Sequence, residues 1–207
     1  MTPAPPIAES IEFAAGALRR GGVVSFPTDT LYALGADALN DAAVARVFAI
    51  KARPPSNPLP LFVSDAAMAS QLAVLTPAAM RLIERFWPGA LTVVIEKRDG
   101  FESLALAGGA TVALRAPNHP VALDLIRRLQ RPLTATSANL SGGLDPDNAG
   151  EVRRQLGDAI DFIIDAGHCP IGLPSTIVYC ASAADIKIVR PGAIAESDIR
   201  AALAAGP

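Results

Sequence analysis

The chain has 207 residues, a formal net charge of −2 and 51% hydrophobic residues, enough for one sizeable core. No apolar run approaches the roughly 18–20 residues that span a bilayer, and the start, Met1-Thr-Pro-Ala-Pro-Pro-Ile-Ala-Glu9, lacks the basic and apolar stretches of a signal peptide. A cytoplasmic location without a membrane partner is expected, and the near-neutral charge argues against broad, nonspecific nucleic-acid binding.

In chain order, Ile7, Ile11, Ala14, Ala15 and Leu18 recur at helical spacing and stop at Gly21-Gly22. Val23 to Phe26 reads as a buried strand ended by Pro27. Asn40 caps a helix whose inner face is Val44, Val47 and Phe48. Leu59 to Val63 is strand-like. Thr76-Pro77 supplies a cap with proline at the first helical position, and Met80, Ile83 and Trp87 form the predicted buried face before Pro88-Gly89 stops the helix.

Leu91 to Ile95 and Thr111 to Leu114 follow as strands, with Gly108-Gly109 a turn between them. His119-Pro120 opens a helix carrying Leu123, Ile126 and Leu129. Pro132 to Ala135, Phe162 to Ile164, Thr176 to Tyr179 and Ile186 to Val189 supply further strands. A last helix starts near Ser197, faces inward through Ile199 and Leu203, and stops by Gly206. Strands and helices alternate irregularly, with two adjacent strands near the end. The expectation is a mixed α/β sheet with flanking helices, in one domain over residues 1–207.

Familiar catalytic signatures are missing. Neither G-x-x-x-x-G-K-[ST] nor G-x-G-x-x-G occurs, nor H-E-x-x-H, nor G-x-S-x-G. Two cysteines, Cys169 and Cys180, and two histidines, His119 and His168, are too few for a disulfide scaffold or a structural zinc site. No metal ligand is assigned.

The polar and cationic positions carry more. Lys51 and Arg53 end a helix and enter a proline-studded loop, where they complement the helix C-terminus or meet an anion. Arg115 and Arg190 each follow a strand and sit just before a proline. Charged residues there point to a sheet rim, where open α/β folds keep their ligands. Arginine forks onto carboxylate or phosphate, and lysine acts as a point charge. Thr28, Asp29, Thr30 and Tyr32 cluster after the first strand, Ser137, Asn139 and Ser141 alternate in a glycine-ended turn, and Ser175-Thr176 precedes another strand. Each hydroxyl taken singly is explained equally well as a turn former.

Taken together, these segments resemble the YrdC-type threonylcarbamoyl-AMP synthase family. The matching runs are Pro27-Thr-Asp-Thr-x-Tyr-x-Leu-Gly35, Lys51-x-Arg-Pro…Asn-Pro-Leu59, Phe86-Trp-Pro-Gly-Ala-Leu-Thr92, Arg115-x-Pro-x-His-Pro120, Ser137-Ala-Asn-Leu-Ser-Gly142, Ser175-Thr-Ile-Val178 and Arg190-Pro-Gly192. Any one is weak; the ordered set is specific. The resemblance implies a YrdC-like twisted mixed sheet around a concave basic cavity. It also implies a nucleotidyltransferase that makes threonylcarbamoyl-adenylate and pyrophosphate from L-threonine, bicarbonate and ATP. Mg2+ is expected to arrive with ATP. The product would feed a threonylcarbamoyl-transfer complex that modifies tRNA, and direct contact with tRNA is left open.

The chain resembles the family's short, single-domain form. Carried over by motif, Thr30, Tyr32, Arg115 and Ser175 are expected at threonine, with Arg115 on its carboxylate. Lys51, Arg53, Thr111, Ser137, Asn139, Ser141 and Arg190 are expected around the nucleotide. No catalytic residue is assigned, and Asp29 is at most an outer-shell partner of the metal. Several positions depart from the family pattern. Pro174 and Tyr179 stand where many relatives are acidic, Phe62 replaces a histidine of the longer form, Ala33 replaces a frequent glycine, and Asp145 stands where some relatives have a nucleotide-binding serine. The alternatives are a YrdC-like paralogue acting as an RNA-binding module without synthase activity, and a carbamoyl-transfer enzyme of hydrogenase maturation, which holds this domain in a longer, zinc-containing chain.

Overall fold

The computed structural model describes residues 5–182 and 185–204. Along them run α1 (Ile7–Arg19), β1 (Val24–Phe26), β2 (Ala33–Gly35), α2 (Asp41–Ile50), β3 (Leu61–Phe62), α3 (Ala66–Leu72), α4 (Pro77–Phe86), β4 (Leu91–Glu96), β5 (Thr111–Arg115), α5 (Pro120–Leu129), β6 (Leu133–Thr134), β7 (Thr136–Ser137), α6 (Ala149–Leu156), β8 (Phe162–Ile163), β9 (Thr176–Ser182), β10 (Asp185–Arg190) and α7 (Glu196–Ala204).

Side-chain caps start many of the helices. Asn40 accepts from the Ala43 amide and Thr76 from the Ala79 amide, as the sequence predicts. Asp65 and Asn148 do the same for α3 and α6, two short helices that the apolar spacing did not reveal. The α4 face is rotated from the expected one. Ala78, Ala79, Leu82 and Ile83 are buried, Met80 is half-buried, and Trp87 lies beyond the helix as its C-cap. Leu123 is likewise half-buried while Val121 and Leu125 face inward. The predicted stop of α7 at Gly206 lies outside the described residues.

The strands form two mixed sheets. One has the order β7-β2-β1-β8, the other β10-β9-β4-β5-β3-β6. The sheets are tied together where Thr134 of β6 donates its amide to the Ala36 carbonyl and takes the Ala36 amide on its hydroxyl. One apolar cluster packs α2 and α4 (Val44, Val47, Leu82, Ile83) onto the larger sheet through Leu91, Val93, Val112 and Leu114. A second sits between α1, α5 and β1, joining Leu18, Phe26, Leu125 and Ile126. Among the described residues, no helix is long and apolar enough to cross a membrane.

Strand direction decides where function can sit. Strand β4 is antiparallel to β5 and parallel to β9, β9 is antiparallel to β10, and β3 is parallel to β5. So β3, β5 and β10 end at the same rim at which β4 and β9 begin. Phe62, Thr92, Arg115, Ser175 and Arg190 therefore gather at one edge, although the sequence scatters them. The smaller sheet adds the turn after β1, because Ala33 pairs with Ser137 across β2 and β7.

Gly192 fastens the last part of this rim. A Cβ there would lie 2.4 Å from the Pro174 carbonyl oxygen and 2.5 Å from the Ser175 carbonyl carbon, both backbone atoms. The Ala193 amide donates to the same Pro174 carbonyl. Only glycine lets the segment after β10 lie against Ser175. Gly192→Ala is expected to cost about 1–3 kcal/mol through overpacking, read as a lowered urea midpoint; an unchanged midpoint would contradict this close approach.

Candidate active site

A chamber of about 220 Å³ opens at the rim. Its wall includes Thr30, Tyr32, Arg53, Arg115, Ser137, Ser175 and Arg190 from the sequence-based set, together with Thr28, Phe62, Thr92 and Asp145. Three guanidinium groups and one carboxylate thus face a shared space.

Arg115 forms the floor. It is 5% exposed, and its Nε donates to the Gly89 carbonyl at 2.9 Å, Nη1 to Thr30 Oγ1 at 2.8 Å and Nη2 to Asp29 Oδ1 at 2.5 Å. Its carbon Cζ stands 5.7 Å from the centre of the Phe62 ring, within cation–π range. Burial lowers the guanidinium from its ordinary value, and Asp29 opposes that shift; Arg115 remains a cation. Of five N–H groups on an arginine, these bonds leave one on each terminal nitrogen for a ligand. Asp29 also accepts from the Asn118 amide, so it locks the segment after β5 as well. Asp29 is not part of the chamber wall. It holds Arg115 through this ion pair.

The turn before β2 is closed by its own hydroxyl. Thr28 Oγ1 donates to the Leu31 carbonyl and accepts from the Thr30 and Leu31 amides. Its proton is thereby used, so in the 3.0 Å contact between the two threonine hydroxyls Thr30 is the donor. Thr30 Oγ1 in turn accepts from Arg115. Tyr32 is fully buried, donates to the Gly167 carbonyl at 2.8 Å, and is pushed up to about 12 by burial. It stays protonated and serves as wall. Thr92 and Ser175 share a 2.8 Å hydrogen bond, and Arg190 donates to both the carbonyl and the hydroxyl of Ser175.

Several expected residues lie elsewhere. Lys51 is 3% exposed, and its ammonium donates to the Ser137 carbonyl, the Asn139 carbonyl and Asn139 Oδ1. Three protons meet three acceptors, so Lys51 supports the loop from beneath and is absent from the wall. Burial lowers its amine to about 8, Arg53 adding to the shift and Asp145 opposing it. Asn139 is likewise a brace: its amide donates to the Gly143 carbonyl and to Asp145 Oδ1, while Oδ1 also accepts from Ser137. Ser141 is exposed and outside the wall. Thr111 pairs with Glu96 at the far end of β5, about 13 Å of strand from Arg115, and the chamber does not reach it. These four residues, expected around the nucleotide, lie outside the chamber wall. Arg53 does line the chamber, with two of its donors closing the loop onto the Asn57 and Pro58 carbonyls.

Thr92 and Asp29 were not among the residues singled out by sequence for binding. Thr92 carries a weak signal, a hydroxyl opening an otherwise aliphatic strand. Asp29 carries none, since its partner lies 86 residues away. The buried Cys169, pushed up to about 11 by burial, is a neutral thiol behind the site.

Comparison with known proteins matches residues 16–192 to the Sua5/YciO/YrdC family model, described as telomere recombination. The chain is 43% identical over 193 residues to the threonylcarbamoyl-AMP synthase of Bacillus subtilis, covering 92% of this chain and 55% of that protein. It is 38% identical over 188 residues to a putative threonylcarbamoyl-AMP synthase of Mycobacterium tuberculosis, covering 90% of this chain and 85% of the relative. Among solved structures, Pyrococcus abyssi Sua5 complexed with L-threonine superposes with a TM-score of 0.91 at 37% identity, over 98% of this chain and 59% of that one. The chain therefore spans little more than half the length of the Bacillus and Pyrococcus proteins.

The buried ion pair makes a direct demand on stability. Asp29→Asn keeps an acceptor for Asn118 but leaves Arg115 as an uncompensated charge. A loss of about 3 kcal/mol is expected, measured by urea unfolding at neutral pH; a variant as stable as the parent would remove Asp29 from its structural role.

Proposed function

Because the chain belongs to the Sua5/YciO/YrdC family, we propose that it converts L-threonine, bicarbonate and ATP into threonylcarbamoyl-adenylate and pyrophosphate. The observation that carries this reading is the chamber itself. Separated segments place Thr30, Arg115 and Ser175 together with Arg53, Ser137 and Arg190 around one space. That arrangement suits an amino-acid carboxylate beside a polyphosphate.

In this reading the two uncommitted N–H groups of Arg115 take the threonine carboxylate, with Thr30 and the Thr92–Ser175 hydroxyl pair beside it and Tyr32 closing the wall. The threonine amine captures bicarbonate, directly or as the carbon dioxide it forms on dehydration, to give N-carboxythreonine with net loss of water. The carbamate oxygen then attacks the α-phosphorus of ATP, and the bond to pyrophosphate breaks in line. Positioning and charge neutralisation supply most of what such a transfer needs. A site of arginines and hydroxyls without a protein nucleophile is consistent with that. Arg53 and Arg190 face the phosphates directly, and Lys51 and Asn139 act by holding the Ser137 loop in place. Magnesium enters with the nucleotide. The adenylate then passes to a threonylcarbamoyl-transfer complex that modifies tRNA, in the cytoplasm.

The test is pyrophosphate release from ATP, which should require both threonine and bicarbonate and should be much slower with serine. Release independent of the amino acid would rule the reading out. Within that assay, Arg190→Ala removes a charged donor from the phosphate side while leaving the Arg115 network intact. The KM for ATP is expected to rise about tenfold or more with the KM for threonine nearly unchanged; equal shifts in both would place Arg190 at the wrong substrate.

A further inference from the structure

Asp145 is the one carboxylate among the residues that line the chamber, where Arg53, Arg115 and Arg190 supply the opposite charge. Its only hydrogen bond among the described residues comes from Asn139 Nδ2 to Oδ1 at 3.2 Å. It forms no ion pair there, although its charge is felt at both Lys51 and Arg190. Oδ2 is left without a protein donor.

The residue is exposed, yet its backbone is held on both sides. Gln155 donates to the Leu144 carbonyl at 2.9 Å, and the Tyr32 amide donates to the Pro146 carbonyl at 2.9 Å. Asp145 is therefore held at the mouth of the chamber by α6 on one side and by the wall residue Tyr32 on the other. A fixed carboxylate facing a polyphosphate repels it unless a cation stands between them. None of the three arginines is bonded to Asp145: Arg115 is paired with Asp29, Arg190 donates to Ser175, and Arg53 donates to the Asn57 and Pro58 carbonyls. The substrate ammonium fits poorly as well: stabilising its charged form would oppose the loss of a proton that carbamate formation requires.

We propose that Asp145 is this protein's own ligand to the divalent cation that enters with the nucleoside triphosphate. The inference rests on the synthase reading above and adds to it a metal-binding role for Asp145, which stands where some relatives of the family it resembles have a serine. The donor set fits a hard cation such as Mg2+, which keeps several waters and needs only one or two carboxylates besides phosphate oxygens. Asp29 does not reach the chamber wall, and its charge is paired with Arg115. Asp145 thus turns a position that would otherwise repel the nucleotide into one that selects its metal-bound form.

The experiment measures ATP binding to the full chain by calorimetry, without threonine or bicarbonate, once with excess Mg2+ and once with EDTA. Asp145→Asn and Asp145→Ser are compared with the parent. In the parent, Mg2+ should strengthen binding. In both variants, affinity with Mg2+ should fall about tenfold, the scale of a lost metal-supporting contact, while affinity in EDTA should rise. Mn2+–ATP bound to the parent should also show an electron paramagnetic resonance spectrum that changes in Asp145→Asn.

Equal tightening of both nucleotide forms would overturn the proposal, leaving Asp145 as a repulsive group only. Unchanged affinities would overturn it too, as would weaker threonine binding with the Mg2+ dependence intact. A parent chain that binds ATP in neither condition would overturn the synthase reading itself, and this inference with it.

Discussion

The site is built around one buried guanidinium. Arg115 ties together the turn after β1, through Asp29 and Thr30, and the turn before β4, through Gly89. Asp29 extends the tie to Asn118. Removing two charges from water is costly, and their attraction offsets that cost only when the remaining donors and acceptors are met. Here the guanidinium meets three acceptors and packs on Phe62, while one N–H on each terminal nitrogen and the buried Asp29 Oδ2 have no partner among the described residues. The two sheets therefore present their ends to a common space in a defined arrangement, without either sheet alone enclosing it.

A second cation does related work on the other side. Lys51 directs all three ammonium protons at the Ser137–Asn139 backbone and the Asn139 amide oxygen. Asn139 then spans to Gly143 and Asp145. The chamber's positive residues thus fall into two kinds. Arg115 and Lys51 are deeply buried and fix the frame, whereas Arg53 and Arg190 are more exposed and face the opening. Charges held in advance lose little to reorganisation when a charged ligand arrives, which is the physical value of spending two cations on structure.

Much of the local structure was legible from residue type. Asn40 and Thr76 sit where caps must sit, Pro77 and Pro120 open helices in which their missing amides cost nothing, and the aliphatic runs at Leu91 to Ile95 and Thr111 to Leu114 become paired strands. Helices α3 and α6 were missed because, at seven and eight residues, each is too short to show a period, with Asp65 or Asn148 as its main signal. The α4 face was misplaced because Trp87 was counted within the helix. Its place beyond the end is set by the chain turning into β4.

From the sequence by itself came the residue types of the site and their order: hydroxyls after one strand, arginines at the ends of two others, and a serine-rich turn. Chain order carries no information about which strand lies beside which. The parallel and antiparallel pairings alone brought Arg115 and Arg190 to the same rim and carried Thr111 to the opposite one. Long-range hydrogen bonds likewise decided that Lys51 braces a loop and that Asp29 neutralises Arg115. A side chain's role depends on which partner reaches it first, and those partners lie 86 to 88 residues away along the chain.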